Sequence, residues 1–143
     1  MQISTKGRYA LRFLADLAEH AGEGDIPLKD IADRQSISKK YLERIVALLV
    51  PSGMLHVTRG KFGGYRLAKP ADQITVADVL RITEGGIAPV PCLENDPEGC
   101  ERRNFCPTLK MWQGLARATQ GYLSSITLQD MLDDYEPPLE YYI

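Results

Sequence analysis

Cysteine and histidine are scarce in this chain, which has three cysteines and two histidines among 143 residues. No stretch approaches the roughly 18 consecutive apolar residues of a membrane-spanning helix. Charged residues, among them Lys6, Arg8 and Arg12, interrupt the N-terminus, so we expect no secretory signal peptide. An odd number of cysteines without an export signal also argues against a disulfide framework. These absences predict a protein of the reducing cytoplasm that has no membrane partner.

Signals of catalysis are also missing. The Gly63-Gly64 pair belongs to no GxGxxG or GxxxxGK[ST] motif, so no phosphate-binding loop is indicated. His20 and His56 lie far from the cysteines in sequence, and no Ser/His/Asp or Cys/His arrangement is apparent. We therefore expect that the protein is not an enzyme.

The net charge of −2 conceals an asymmetry between the two halves of the chain. Residues 1–70 carry 12 basic and 7 acidic residues, whereas residues 71–143 carry 5 and 12. Between Lys39 and Lys69 there are seven basic residues and a single acidic one, Glu43. A local excess of this kind attracts a polyanion such as nucleic acid. On charge alone, a solvated surface remains the alternative.

The first fifty residues predict three helices. Apolar residues recur at helical spacing from about Ser4 until Gly22, and a short helix follows over Leu28–Gln35. A turn then precedes Ser38, which is a plausible N-cap for a helix running to about Val50. Counted from Leu28, the positions that lock two crossing helices together are small or apolar: Ala32, Ile37, Leu42 and Ile45. This spacing is typical of a helix-turn-helix, although Ser36 stands where glycine is common.

A glycine-rich hairpin is predicted next. Two short strands, Leu55–Val57 and Tyr65–Leu67, flank a turn that carries Arg59 and Lys61 near its tip. Such a hairpin is typical of a wing, which lays cations along a phosphate backbone or into a narrow minor groove. A plain hairpin whose glycines only serve the turn is the alternative. Helix-turn-helix, wing and local basicity together favour DNA binding.

Several motifs resemble those of the winged-helix bacterial regulators typified by IscR, NsrR and CymR. They are Ile3–Tyr9, Tyr41–Glu43 and the stretch from Arg59-Gly60 to Gly63-Gly64-Tyr65, and the similarity continues through Ile74–Val79 and Ser125–Leu128. The resemblance implies a homodimer with a long C-terminal dimerisation helix that controls iron–sulfur, cysteine or nitrosative-stress genes. It also implies that the recognition helix contacts palindromic operator half-sites while the wing arginine enters the minor groove.

From these motifs and the local basicity we predict a set of DNA-contacting residues. A carboxylate at position 43 would accept from cytosine N4 or repel phosphate. The predicted residues are Lys29, Ser38, Lys39, Lys40, Tyr41, Glu43, Arg44, Arg59, Gly60 and Lys61.

The predicted fold class is mainly α with a small β-hairpin wing: a winged helix-turn-helix plus a long C-terminal dimerisation helix. The expected boundaries are 1–84 for the DNA-binding domain, 85–107 for a cysteine-containing sensor loop, 108–135 for the dimerisation helices and 136–143 for an extended tail. Pro107 suits the first turn of the long helix. Along it, apolar residues recur at steps of three and four: Trp112, Leu115, Thr119, Tyr122 and Ile126. Such a face must be covered, either by the domain or by a second copy of the helix.

All three cysteines, Cys92, Cys100 and Cys106, fall in the predicted loop, on polar sequence that favours turns. Such clustering indicates ligation rather than packing. Seven and five residues separate them, whereas zinc sites favour gaps of about two to four residues and four ligands. Soft thiolates followed by proline suit an iron–sulfur cluster better, of two-iron or four-iron type. Thiols that respond to oxidants or metals, and cysteines with no sensing role, remain alternatives.

The resemblance supports a cluster but leaves its fourth ligand open. Cluster-binding members of that family carry three cysteines in this linker, and some add a histidine or an N-terminal acidic residue where this chain has Leu109 and Arg8. A nearby carboxylate, an exogenous thiol or water would then complete the site.

The last residues form an unusually apolar end after Pro137-Pro138, namely Tyr141, Tyr142 and Ile143. They resemble the tail of cysteine-metabolism members of the family. That resemblance implies docking of Ile143 into cysteine synthase, with packing of the tail on its own dimer as the alternative. A second possible function is therefore a cofactor-free repressor of cysteine metabolism controlled by cysteine synthase through the tail.

Overall fold

The computed structural model describes residues 2–93 and 101–138. Three helices open the chain, α1 (Thr5–Glu19), α2 (Leu28–Gln35) and α3 (Lys39–Leu49). An antiparallel hairpin follows, made of β1 (Leu55–Thr58) and β2 (Gly64–Leu67). The remaining helices are α4 (Val76–Glu84), α5 (Leu109–Ser125) and α6 (Leu128–Asp133). Short 3₁₀ turns lie at Val50–Ser52, Ala71–Gln73 and Pro91–Leu93. This mainly helical fold with a two-stranded hairpin confirms the predicted fold class.

Side-chain caps fix where the helices begin. Ser4 Oγ accepts a hydrogen bond from the Gly7 amide at 3.2 Å, and Ser38 Oγ accepts one from the Tyr41 amide at 3.0 Å. Thr75 and Thr127 each form a reciprocal capping box with an aspartate three residues later. Each cap satisfies amides that the helix leaves unpaired and contributes about 1 kcal/mol.

The core of the winged domain (residues 2–84) surrounds α1. Its fully buried large side chains include Phe13, Leu14, Ile31, Leu42, Ile45 and Leu49. The buried residues also include Ala32 and Ile37, at the positions that the helix-turn-helix spacing predicts. Burial of one such large apolar side chain contributes roughly 1.5–3 kcal/mol, so this core alone holds α1, α2 and α3 together.

Ser36 ends α2 in the left-handed conformation, with φ 55° and ψ 42°. This is the turn of the helix-turn-helix, and it explains why glycine is common at the position. A side chain in this region is sterically disfavoured, so Ser36 carries strain that a glycine would not.

Backbone pairing attaches the hairpin to the segment before α2. Leu55 pairs with Leu67 and Thr58 with Gly64. The Ile26 amide donates to the Tyr65 carbonyl at 2.8 Å, and the Tyr65 amide donates back at 2.9 Å. A Cβ at Gly64 would collide with the Ile26 backbone, so this close approach requires glycine. The wing is therefore held at a fixed distance from α2.

A buried carboxylate joins α1 to α2. Asp16 is 1% exposed and accepts from Arg34 at 2.6 and 3.1 Å and from Gln35 Nε2 at 3.0 Å. Burial alone would raise the pKa of Asp16, but the hydrogen bonds from Arg34 and Gln35 outweigh it, so the pKa lies below its ordinary value. Arg12 also donates to the side chain and the backbone of Gln35.

The two C-terminal helices, which lie within the predicted 108–135 segment, differ in how they pack. Helix α6 packs against α1, and Leu128 is fully buried in the core of the winged domain. The Leu128 amide donates to the Ile74 carbonyl at 2.9 Å, and the Val76 amide donates to the Ile126 carbonyl at 2.9 Å. The buried side of α6 therefore belongs to the core of the winged domain, while the predicted domain boundaries stay predictions.

Helix α5 lies against α4 but buries little of itself. Among its residues, only Ala116 is buried, whereas Met111, Leu115 and Tyr122 are exposed. It begins at Leu109, so Pro107 precedes its first turn instead of occupying it as predicted. Over residues 2–93 and 101–138, no helix has both the length and the apolarity needed to cross a membrane.

Candidate nucleic-acid interface and cysteine site

Helix α3 has one apolar and one polar face. Leu42, Ile45, Val46 and Leu49 are buried. The predicted contact residues Lys39, Lys40, Glu43 and Arg44 are exposed. The first turn of α3 therefore offers cations to solvent at the positive end of the helix dipole, which favours an anionic ligand.

A groove of about 590 Å³ separates α3 from the wing. Six of the predicted DNA-contacting residues line it: Lys29, Lys39, Glu43, Arg59, Gly60 and Lys61. They come from α2, α3 and the hairpin tip, and the pairing of Tyr65 with Ile26 fixes their spacing. Lys40 and Arg44 are exposed on α3 outside the lining of this groove.

Two of the predicted DNA-contacting residues also make contacts within the protein: Ser38 caps α3, and Tyr41 packs against α1. The Tyr41 ring meets the Tyr9 ring edge-on, with centroids 5.6 Å apart and planes at 81°. Arg12 and Arg8 place their guanidinium carbons 5.2 and 5.9 Å from the Tyr9 centroid. This packing fixes α3 on α1, and the prediction from sequence missed Tyr9, Arg8 and Arg12 as its other members. Their signal is the pair of arginines four residues apart, Arg8 and Arg12, on either side of Tyr9 in α1.

The wing tip carries an aromatic residue that the sequence prediction overlooked. Arg59 and Lys61 are exposed there, and Phe62 beside them is 89% exposed. Lys61 Nζ lies 5.7 Å from the centroid of the Phe62 ring. The signal was a phenylalanine within the glycine-rich turn, where no core residue is needed.

The structure describes two of the three cysteines. Cys92 lies in the Pro91–Leu93 turn and Cys106 lies shortly before α5, and both are partly exposed. Cys106 Sγ is 3.1 Å from Thr108 Oγ1. Hydrogen bonds from the side chain and backbone of Thr108 lower the pKa of Cys106, and the charge of Arg102 adds to the effect. A thiol that ionises readily fits the role of a metal or cluster ligand.

The ligand set itself is not assembled within the described residues. Over residues 2–93 and 101–138, no three histidine, cysteine, aspartate or glutamate side chains converge as a metal site. Cys100 lies outside the described residues, and so do Tyr141, Tyr142 and Ile143 of the proposed tail site. Arg8, which stands where some relatives place an acidic ligand, is exposed and donates to Thr5 Oγ1 at 3.3 Å.

Comparison with known proteins identifies the family. The profile described as "Rrf2: Iron-dependent Transcriptional regulator" matches residues 3–134. The chain belongs to the Rrf2 family. It is 38% identical to the HTH-type transcriptional regulator IscR of Photorhabdus laumondii, over 95% of this chain and 82% of that protein. It is 41% identical to protein rrf2 of Nitratidesulfovibrio vulgaris, over 94% of this chain and 89% of that protein.

A solved structure agrees with the Rrf2 assignment. The structure of CymR, the global cysteine regulator of B. subtilis, superimposes with a TM-score of 0.78 at 37% identity. The match covers 95% of this chain and 99% of that one. As a member of the Rrf2 family, the chain is a DNA-binding transcriptional regulator with a winged helix. Family membership confirms the predictions of DNA binding and of a non-enzymatic protein.

Proposed function

We propose that two copies of this Rrf2 protein bind the two halves of a palindromic operator and that the three cysteines govern this binding. The observation that carries the DNA-binding part is the groove between α3 and the wing, because it gathers cations from three separate elements. In this arrangement α3 enters the major groove, and Arg59 enters the adjacent minor groove.

The predicted DNA-contacting residues in and around this groove are suited to three different roles. Lys29, Lys39, Lys40, Arg44 and Lys61 are suited to phosphates, which position the protein without reading sequence. Glu43 is suited to base discrimination, since a carboxylate accepts from cytosine N4 and is repelled by misplaced phosphates. Ser38, Tyr41 and Gly60 hold the backbone of α3 and of the wing tip in place beside the DNA.

Arg59→Ala tests the placement of the wing. Because the variant lacks the contact of Arg59 with a base or with the narrow groove, the free energy of operator binding should weaken by roughly 1–3 kcal/mol. The matched control is Arg81→Ala, which removes an exposed arginine on α4, away from the groove. Fluorescence anisotropy with a labelled operator duplex measures both variants. Equal affinities of Arg59→Ala and the wild type would refute the wing contact.

The unpaired face of α5 supports the homodimer. Met111, Leu115, Ala118 and Tyr122 follow one another at steps of four, three and four, so they share one face of the helix. Beside this face lies a mainly apolar groove of about 560 Å³, lined in part by Ile3, Leu80 and Ile87. Contact with a second copy would cover both surfaces.

We assign sensing to Cys92, Cys100 and Cys106, which would hold an iron–sulfur cluster as thiolates. The lowered pKa of Cys106 and the similarity to IscR support this assignment. A cluster supplies a redox- and iron-dependent state at the linker between α4 and α5. The chain's own contribution is to deliver ionised sulfurs and to transmit a change of linker order to the winged domain.

Anaerobic purification tests the cofactor. We expect a coloured protein containing iron and sulfide, whose visible absorbance is lost in Cys106→Ala. His56→Ala, which alters an exposed histidine on β1, serves as the control and should keep the colour. A colourless wild-type protein that takes up no iron and sulfide on anaerobic reconstitution would contradict the cluster.

Similarity to the CymR structure favours a second candidate, a cofactor-free regulator of cysteine metabolism. In this alternative, Tyr141, Tyr142 and Ile143 bind cysteine synthase. Deletion of these three residues should then abolish binding to cysteine synthase in calorimetry. Unaltered binding of the shortened chain, or no binding by the full chain, would remove this candidate.

A further inference from the structure

Phe62 has no packing role in the described structure. Its side chain is 89% exposed, more than any other large hydrophobic side chain of the described residues. A phenyl ring left in water gains none of the hydrophobic stabilisation that its burial would bring. Phe105, before α5, is 84% exposed but lies outside the wing, beside Cys106.

The hairpin turn presents this ring at the tip of the wing. The Gly63 amide donates to the Gly60 carbonyl at 3.0 Å and closes the turn between β1 and β2. Gly60 has φ 111°, a conformation that favours glycine. Phe62 therefore extends from a short closed turn, with Arg59 and Lys61 on the same tip.

We infer that Phe62 inserts into the minor groove of the operator beside Arg59 and packs against deoxyribose and the edges of a base step. This inference rests on the DNA-binding function proposed above. The cations next to the ring favour a polyanion, because Arg59 and Lys61 are attracted to the enhanced negative potential of a narrow minor groove. Apolar side chains in this setting wedge between base pairs and bend the duplex.

The chemistry of the groove predicts a sequence preference. The floor of the minor groove is free of exocyclic donors at A·T pairs, whereas guanine places its N2 amino group there. A phenyl ring therefore enters more deeply where the wing meets A·T pairs. Replacing these pairs by G·C should lower the DNA affinity of the wild-type protein and should lower that of Phe62→Ala by less.

The test uses the full-length protein and a labelled duplex that it selects from a random-sequence library. Phe62→Ala should bind about tenfold more weakly, or about 1.4 kcal/mol, since it loses the contact of the ring with the minor groove. The slope of log affinity against log salt should stay unchanged, because no charge is removed. Lys61→Ala should instead lower that slope by about one.

Two further variants sharpen the result. Phe62→Leu keeps apolar bulk and should recover most of the affinity, whereas Tyr135→Ala removes an exposed ring outside both the wing and the cysteine loop and should bind like the wild type. Wild-type affinity of Phe62→Ala alongside weakened Arg59→Ala would overturn this inference and leave the proposed function standing. Failure of the wild-type protein to select any duplex would overturn both.

Discussion

The winged domain and α5 bury their apolar residues to very different degrees. Helix α1, at the centre of the domain, buries seven of its 15 residues, and α6 adds Leu128 to the same core. Helix α5 is longer, at 17 residues, yet buries only Ala116 among the described contacts. Among the described residues, the winged domain therefore buries its own core, whereas most of the apolar face of α5 stays open to another surface.

Two of the three cysteines lie between these two regions. Cys92 and Cys106 lie between the winged domain and α5, and the described backbone around them forms short turns. If the cysteines govern DNA binding as proposed, a change in their ligation or oxidation would alter how the winged domains are set relative to α5 of the dimer.

Phe13→Ala should have the largest effect on the winged domain. Phe13 is fully buried and contacts the Tyr65 ring, with centroids 6.1 Å apart. Removing it leaves a cavity and should cost roughly 3–5 kcal/mol of unfolding free energy. Phe62→Ala makes the same chemical change on the surface and should stay within about 0.5 kcal/mol of the wild type. Urea unfolding at one fixed protein concentration compares them, and similar losses would contradict the assigned core.

Tyr122→Glu should break the pairing of α5 and spare the winged domain. A carboxylate would be buried without a partner in the dimer, so the dimer dissociation constant should rise about a hundredfold, or roughly 2.7 kcal/mol. Ser124→Glu adds the same charge at an exposed position off this face and should leave the dimer intact. Sedimentation equilibrium measures both. An unchanged dimer in Tyr122→Glu would place the interface elsewhere.

Asp16→Asn should weaken the joint between α1 and α2. Loss of charge-assisted hydrogen bonds to Arg34 should cost about 1–3 kcal/mol at neutral pH. Because the folded pKa of Asp16 lies below its ordinary value of 3.8, its stabilisation is complete above that value and is lost as pH falls through the lowered pKa. The difference in unfolding free energy between Asp16→Asn and the wild type should therefore become smaller as the pH falls.

Asp33→Asn, an exposed aspartate of α2, provides the comparison for Asp16→Asn. Urea unfolding along a descending pH series measures all three proteins. If the difference in unfolding free energy between Asp16→Asn and the wild type stays constant or grows in acid, that result would be inconsistent with a lowered pKa of Asp16.

Ser36→Gly should give the smallest effect. Its free energy of unfolding should rise by about 0.5–1 kcal/mol, because glycine adopts the left-handed conformation of the turn without strain. Ser36→Ala keeps a Cβ in the same conformation and should bring no such gain. Thermal unfolding distinguishes them, and equal melting temperatures of the two variants would show that the turn is not strained.

The sequence predicts the winged domain well because its signals are local. Helical periodicity, the cap at Ser38 and the glycine-rich turn each mark an element on their own. The packing of α6 has no such signal: the capping box at Thr127 marks where the helix begins, but only tertiary contact shows that Leu128 enters the core of the winged domain. Pro107 likewise fits a first helical turn, but the chain reaches α5 through Thr108 instead.

The candidate site is predictable only in part for the same reason. The cations at the wing and on α3 follow from charge and motif, and the structure brings six of the ten predicted residues to one groove. The Asp16 network and the Tyr9–Tyr41 contact depend on how α1, α2 and α3 cross, which no local pattern gives. The roles of the DNA-binding residues and of the three cysteines stay predictions for experiment.

The most direct test of control by the cysteines measures the affinity for DNA before and after the state of the three cysteines is changed. Protein purified without air should bind its selected duplex with an affinity that changes at least about tenfold when its metal is removed or its thiols are oxidised. A variant with Cys92, Cys100 and Cys106 all replaced by alanine should bind the same duplex with an affinity indifferent to both treatments. Equal affinity of the wild-type protein in both states would contradict control of the winged domain by the cysteines.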